Sequence, residues 1–482
     1  MNESYSGAPS ADDAGAVSKP RELGLWQIVF LVISAAAPLT GMLGAVPPAI
    51  SLGNGAGIPG AFVIAGAVLL VFSVGFASMS RHIVRAGAFY GYITAGFGRP
   101  LGMAGALVAL LSYTSIQIGL YGLIGFFCTV VLGPLLHIAL PWYAYSLACI
   151  AIVQFTGVRG IDLNSRLLGL FMCLEMGILL VLSVAIVLHH GGGDGLTLAP
   201  FSPRHVFSGH LGIAVMFALA SFIGFEATAI YGKECRDPMV TVPRATYISV
   251  GMILVFFAFV TWAIVCAYGV EDVASAAAKQ PGEFWFIQST RHLGTGMTTV
   301  MSLLLLSSIF ASLLAFHNTI ARYIHALSGE GILPGALHRV HPVYGSPYLA
   351  SYLQTVTILV PIGLFVAKGS DPMDVIFSWT AALGTIGIVV LQAMTSFAVA
   401  AFFRATRKDT RLWHSLLAPL VGGCGLVWIA VILVGNLDAL SGSDNPVVHS
   451  FPWIVLAVAI LGVAIGLVLR RTRPDIYARF GQ

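Results

Sequence analysis

Charge is what this chain has least of. Only 9% of its 482 residues are charged, where a soluble globular chain carries roughly 25%, so an ordinary water-facing surface is excluded. The formal net charge is just +4, and no basic patch points to a nucleic-acid partner. Six cysteines (Cys128, Cys149, Cys173, Cys235, Cys266 and Cys424) are scattered without a CxxC pair, which argues against a disulfide framework or a metal site. Walker A, HExxH and GxSxG motifs are missing, so the chain reads as no enzyme, with no cofactor and no metal. Gly55, Gly57 and Gly60 in GAGIPG fit GxGxxG, but no strand or βαβ unit frames them; they read as a turn. Residues 1–22 lack an apolar core and a cleavage site, so a disordered cytoplasmic tail is expected rather than a signal peptide.

What fills the chain instead is apolar sequence. Hydrophobic residues make up 57% and the mean hydropathy is +0.90. Apolar runs recur at roughly 26–51, 58–79, 101–133, 142–157, 167–189, 209–231, 245–269, 297–325, 348–367, 374–402, 413–436 and 451–470. A helix of about 20 residues spans about 30 Å of hydrocarbon. The expectation is an all-α membrane protein with twelve transmembrane helices, one transporter domain over 23–472, and a short tail at 473–482. With the N-terminus inside, 20 of the 24 Lys and Arg residues fall on cytoplasmic segments; Arg204, Lys279, Arg291 and Lys368 fall outside. This bias places both termini in the cytoplasm. Segment 80–100 mixes basic and apolar residues, as an amphipathic surface helix does.

Two of the 20 acidic residues, Glu175 and Glu226, lie inside apolar runs with no lysine or arginine deep beside them. A carboxylate at that depth costs several kcal/mol unless protonated, paired or wetted, and reads as functional. Two runs are also interrupted. The first, ISAAAPLTGMLGAVPP, carries Pro38 and Gly41 near its middle, and the sixth, ALASFIGFEATAIYG, carries Gly224 between bulky neighbours. Proline removes a helical donor and clashes with the preceding turn. Interrupted helices in matching positions of two halves point to an inverted-repeat transporter with its site between them.

Three segments carry a resemblance. GFEATAIYGKECRDPMVTVPRATY (224–247), ARYIHALSGEGILPGALHRVHPVYGSP (321–347) and SRHIVRAGAFYGYITAGFGRPLG (80–102) resemble, in order and spacing, marked regions of the amino acid–polyamine–organocation superfamily. The resemblance implies a LeuT-like fold: a 5+5 inverted repeat (about 26–189 and 209–402) with two peripheral helices (about 413–470). It also implies secondary transport of amino acids, polyamines or related amines across the cytoplasmic membrane. The first helix carries APLTG (37–41) where many members have G-S-G, and resembles the P-M-T-like segment of putrescine-importer-like members. An aromatic gate of some antiporters falls near Ala220. Some proton-coupled relatives have a lysine near the position of Glu175.

The helix ends at the breaks would form a site without charged side chains. Carbonyls near Ala35–Ala37 and Ser221–Ile223 favour an ammonium, and N–H groups near Thr40 and Gly41 favour a carboxylate. Candidate substrate contacts are Ala37, Leu39, Thr40, Gly41, Tyr113, Gln117, Ser221, Phe222, Gly224, Phe225 and Trp379. Tyr113 and Gln117 share a helical face, which suits a pocket wall or an interhelical hydrogen bond equally. Phe222, Phe225 and Trp379 suit cation–π contact or plain packing. Candidate proton-coupling groups are Glu175, Glu226 and His317. Glu226 has a competing role as a cap on freed N–H groups, Glu175 as a hydrogen-bonded structural carboxyl, and His317 as a core histidine. Ser308, Ser312, Asn318 and Thr319 give span eight a polar face that would line the cavity or hold sodium. The functional expectation is a proton-coupled symporter, with sodium as the alternative ion. Neutral amino acids rank above putrescine, and an exchanger, a non-transporting sensor and a channel are the rivals.

Overall fold

The computed structural model describes residues 23–83, 87–137, 139–159, 161–191 and 195–481. The N-terminal tail and Arg85, both part of the sequence expectations, lie outside them. The described residues contain helices and one isolated bridge, Leu23 with Cys235. Helix suits a charge-poor chain in hydrocarbon, because it satisfies each backbone donor and acceptor without water.

In chain order the helices that frame the site are α1 (Leu25–Ala36), α2 (Pro38–Pro48), α3 (Ile58–Ser80), α4 (Ala88–Phe97), α5 (Arg99–Phe127), α6 (Trp142–Val158), α7 (Ile161–Leu188) and α8 (Leu211–Ala220). After the 3-10 segment Phe225–Glu234 come α9 (Pro238–Tyr268), α10 (Phe284–Leu293), α11 (Thr295–Gly329), α12 (Tyr348–Ala367), α13 (Ser378–Thr406), α14 (Ala418–Gly435) and α15 (Phe451–Thr472). Each apolar run read from the sequence falls on helix. Among the described residues, ten helical stretches are long and apolar enough to cross a membrane. The first of them, Leu25–Ser80, is 56 residues long and holds the first two runs, while Trp142–Val158 is a shorter apolar helix. That first stretch folds back at Gly53, with φ −102° and ψ −120°, and at Gly55, with φ 58°. Both glycines sit at or beside the GAGIPG segment, which turns between α2 and α3 as expected.

The most apolar part of Leu211–Gly232 is 89% buried within the protein, that of Pro446–Thr472 only 17%. The sixth run is therefore the centre of the molecule and α15 its outer wall. Large apolar side chains such as Val255, Val431, Trp453 and Ile460 face outward, as lipid contact requires. Close helix approach relies on small residues: a Cβ on Gly66 would meet Leu254, one on Gly422 would meet the Phe72 backbone, and one on Gly462 would meet Ala104. On one face, here called the terminal face, the start of α1 meets the end of the 3-10 segment, with Leu23 N donating to Glu234 O at 3.1 Å. On the opposite face α10 lies over α2, where the buried Trp285 Nε1 donates to Met42 O at 2.8 Å.

Candidate substrate and coupling site

The first span breaks between α1 and α2. Ala37 sits there at φ 45° and ψ 72°, a left-handed conformation that costs an L-residue roughly 1–2 kcal/mol. Pro38 takes the first position of α2, where its missing N–H is no loss and its fixed φ suits a helix. The second half therefore starts at Pro38 rather than near Thr40, and Gly41 N already donates to Ala37 O at 2.8 Å. The sixth span breaks where α8 stops at Ala220. Gly224 follows at φ 117°, and the chain resumes as a 3-10 helix from Phe225, not as α-helix.

These two breaks touch. A Cβ on Gly224 would lie 2.7 Å from Ala35 Cβ, and one on Gly41 would lie 3.5 Å from Ser221 Cβ. Ser221 spends its hydroxyl on Phe217 O at 3.2 Å. The helix ends are matched with partners from other spans. Ser312 Oγ of α11 donates to Ala35 O at 2.9 Å.

Glu175 stands in the middle of α7, fully buried, and reaches the start of α2. Its Oε2 accepts from Ser308 Oγ at 2.6 Å. Ser308 Oγ in turn accepts from Thr40 Oγ1 at 3.0 Å and Thr40 N at 3.3 Å. One carboxylate thus reaches the opening turn of α2 through the Ser308 hydroxyl. Its other oxygen, Oε1, has no hydrogen-bond partner among the described residues.

Glu226 is also fully buried but has both oxygens engaged. Oε2 accepts from Gly224 N at 3.0 Å and Oε1 from Tyr113 OH at 3.1 Å. It sits where a cap on the broken helix would sit, so Glu226 is bound into the break more completely than Glu175.

Other candidates divide. Tyr113 joins the centre through Glu226. Gln117, one turn along α5, turns instead to α11 and α12: its Nε2 donates to Leu313 O at 3.4 Å and its Oε1 accepts from Gln354 Nε2 at 2.7 Å. His317 points away from the breaks, with Nε2 at 2.7 Å from Ser351 Oγ, which also contacts Gln154 Oε1 at 3.2 Å. Phe222 packs with Phe62 and Phe257 at ring separations of 6.4 and 6.1 Å, and Phe225 with Phe72 at 5.9 Å. Trp379 stands in the first turn of α13, half-buried, with its indole N–H unpartnered among the described residues.

A part-buried pairing near the terminal face escaped the sequence reading. Arg322 donates to both oxygens of Glu234, with Nη2 to Oε2 at 3.1 Å, and its Nη1 donates to Asn318 O at 3.1 Å. The guanidinium lies 5.0 Å from the centre of the Tyr231 ring. Bidentate pairing of this kind fixes geometry as well as charge, and here it ties the 3-10 segment to α11.

Broken helices in contact, with their ends held by side chains, are a transport architecture. The amino acid permease family profile matches residues 27–479. The chain belongs to the amino acid permease family. It is 23% identical to a branched-chain amino acid permease of Bacillus subtilis over 95% of this chain and 94% of that one. A branched-chain amino acid permease of Lactococcus lactis is 22% identical, covering 84% and 86% of the two chains. The methylthioribose transporter of Bacillus subtilis is 22% identical over 68% and 72%. The chain is therefore a multi-pass membrane transporter of a small molecule, not an enzyme. In the transporter, Arg322 reads from sequence only as one of the basic residues on the cytoplasmic side, and Glu234 draws no reading of its own. Nothing in their spacing along the chain links positions so far apart.

Proposed function

We propose that the chain is a secondary active importer of a neutral amino acid, coupled to protons and working by alternating access. The proposal includes twelve spans in a 5+5 inverted repeat with two peripheral helices, in the cytoplasmic membrane, with both termini inside. The observation that carries it is the meeting of two broken helices at Ala35–Gly224 and Gly41–Ser221, with Glu175 linked through Ser308 to the Thr40 amide of α2. Carbonyls ending α1 suit the substrate ammonium, and N–H groups opening α2 suit its carboxylate. Through Ser308, Glu175 competes with that carboxylate. Protonation weakens its grip on Ser308, which frees that hydroxyl and the Thr40 amide for the substrate. The proton and the substrate then enter together. Glu226 and Tyr113 hold the second break in shape, and His317 is a packing residue in a polar cluster with Ser351 and Gln154.

A second reading is favoured by Pro38, which has no N–H, and by the engagement of Thr40 with Ser308. With one donor missing and one occupied, a substrate lacking a carboxylate, such as an organic amine of the putrescine type, is the alternative. Competition separates the two. Excess leucine, isoleucine or valine is expected to suppress radiolabelled uptake into proteoliposomes and to raise the melting temperature, while their decarboxylated amines do neither. The reverse order replaces the amino acid by the amine.

Orientation has its own test. In a cysteine-free background, Lys279→Cys should react with an impermeant maleimide added to intact cells, and Arg407→Cys only after the membrane is opened. Labelling of the Arg407→Cys variant from outside overturns the topology.

A further inference from the structure

The last segment of the chain folds back onto the terminal face. Pro474–Arg479 forms a short helix, α16. Beyond it Phe480 is only 1% exposed, and its ring lies flat on Tyr90 of α4, with centroids 5.4 Å apart and planes 16° from parallel. Arg99, at the start of α5, donates to Ala478 O at 2.8 Å and Phe480 O at 3.2 Å. Its guanidinium also sits 5.2 Å from the Tyr477 ring centre. Glu330, just past α11, accepts from Tyr90 OH at 3.0 Å through Oε1 and from Gly481 N at 3.3 Å through Oε2. One carboxylate thus joins α4, the end of α11 and the last residues of the chain.

The groove does not end at the tail. Tyr90 packs on Tyr323 at 5.3 Å, and Tyr323 packs on Tyr113 at 6.2 Å. Tyr323 OH donates to Gly87 O at 3.0 Å, and Tyr113 OH donates to Glu226, which holds Gly224 N. A column of rings therefore runs from the tail to the break in the sixth span. On its other side α4 leans on α3, through Phe76 with Phe89 at 6.2 Å and Tyr92 at 5.2 Å. Through Phe72, α3 touches Phe225 of the 3-10 segment.

We propose that residues 474–481 are a latch on the terminal face. They pin α4 to the end of α11 and must leave this groove before the site opens on that side. Opening there requires α11 to part from the 3-10 segment, which separates Arg322 from Glu234. α4 rests on α3, which touches the 3-10 segment through Phe72 and Phe225, and is held to α11 by Tyr90, Glu330 and the tail. The latch therefore favours the closed state alone, and a contact made in only one of two states shifts their populations. Its occupant is a segment of the chain itself, residues 474–481, whose sequence sets the rate of opening.

Cys235 reports the opening without any need for a substrate. It is fully buried beside Leu23, at the seam between α1 and the 3-10 segment. In a variant keeping Cys235 as the sole cysteine, maleimide is added to membrane vesicles with the terminal face outward. Ending the chain after Arg473, or Phe480→Ala in the full chain, should raise the modification rate of Cys235 about tenfold, the order a lost one-state contact gives. Adding Thr94→Cys and Gly481→Cys allows the reverse experiment, because a Cβ on Gly481 would lie 2.9 Å from Thr94 Cβ. Oxidising that pair should bring Cys235 modification below the unlatched rate and below that of the reduced protein, and dithiothreitol should restore it. Unchanged Cys235 reactivity on truncation and in Phe480→Ala, or equal reactivity of the cross-linked and reduced forms, overturns the latch. If the truncated chain fails to fold, Phe480→Ala and the cross-link decide. Neither readout depends on what is transported or on its coupling ion.

Discussion

Glu175→Gln should abolish the stimulation of uptake by an acid-outside pH gradient while counterflow exchange continues. Glutamine keeps the length of the side chain and an oxygen that accepts from Ser308 Oγ, so the link to the start of α2 is retained. It cannot take up or give up a proton. Each pH unit is worth about 1.4 kcal/mol per proton moved, or about tenfold in accumulation at one proton per substrate. Wild-type protein in proteoliposomes should show a rise of that order per unit of gradient, and Glu175→Gln none. Counterflow survives because exchange needs the loaded site to reorient without net proton movement. A variant whose uptake still climbs with the gradient removes Glu175 from coupling. Loss of both activities together with a lower melting temperature assigns it a structural role.

The second large effect is expected at the crossing of the breaks. Gly224→Ala meets two obstacles at once. At φ 117° an L-residue is strained, at roughly 1–3 kcal/mol. The new methyl would lie 2.7 Å from Ala35 Cβ and 3.2 Å from Ala36 N, and forcing such a contact costs typically 1–3 kcal/mol more. The combined penalty, about 2–6 kcal/mol, should lower the melting temperature and cut initial uptake at least tenfold. Gly177→Ala is the control: it lies inside α7, and its Cβ would have open space within 4 Å. There alanine gains about 0.5–1 kcal/mol of helix preference, so uptake and melting should stay near wild type. Equal behaviour of the two variants would mean that the breaks do not need to touch.

Much of this arrangement was legible in the sequence because its causes are local. Pro38 and Gly224 interrupt their spans for reasons of backbone geometry, and both breaks occur where composition placed them. Glu175 and Glu226 stand out because hydrocarbon penalises charge. What those carboxylates touch was not legible, since Glu175 meets Ser308, and through it Thr40, only after three helices have packed. The same limit separates Tyr113 from Gln117. They share a face of α5, yet one reaches Glu226 and the other Gln354, because different neighbours cover successive turns. For Phe222 and Phe225 the sequence left cation–π contact and plain packing both open, and their rings stand against α3 and α9. The segment after Arg473 read only as a tail, since six helical residues with mixed charge carry no span signal. Its docking depends on Arg99 and Glu330, which sequence alone cannot bring together.

Ser312 on Ala35, Ser308 on Thr40 and Glu226 on Gly224 meet the helix ends with side chains of the protein itself. That bears on the return stroke of the cycle. A carrier whose site exposes raw backbone poles faces a high barrier to crossing empty, which is how strict one-for-one exchange is enforced. On the symport reading proposed above, these side chains lower that barrier, and the expected result is net accumulation without a counter-substrate inside the vesicle.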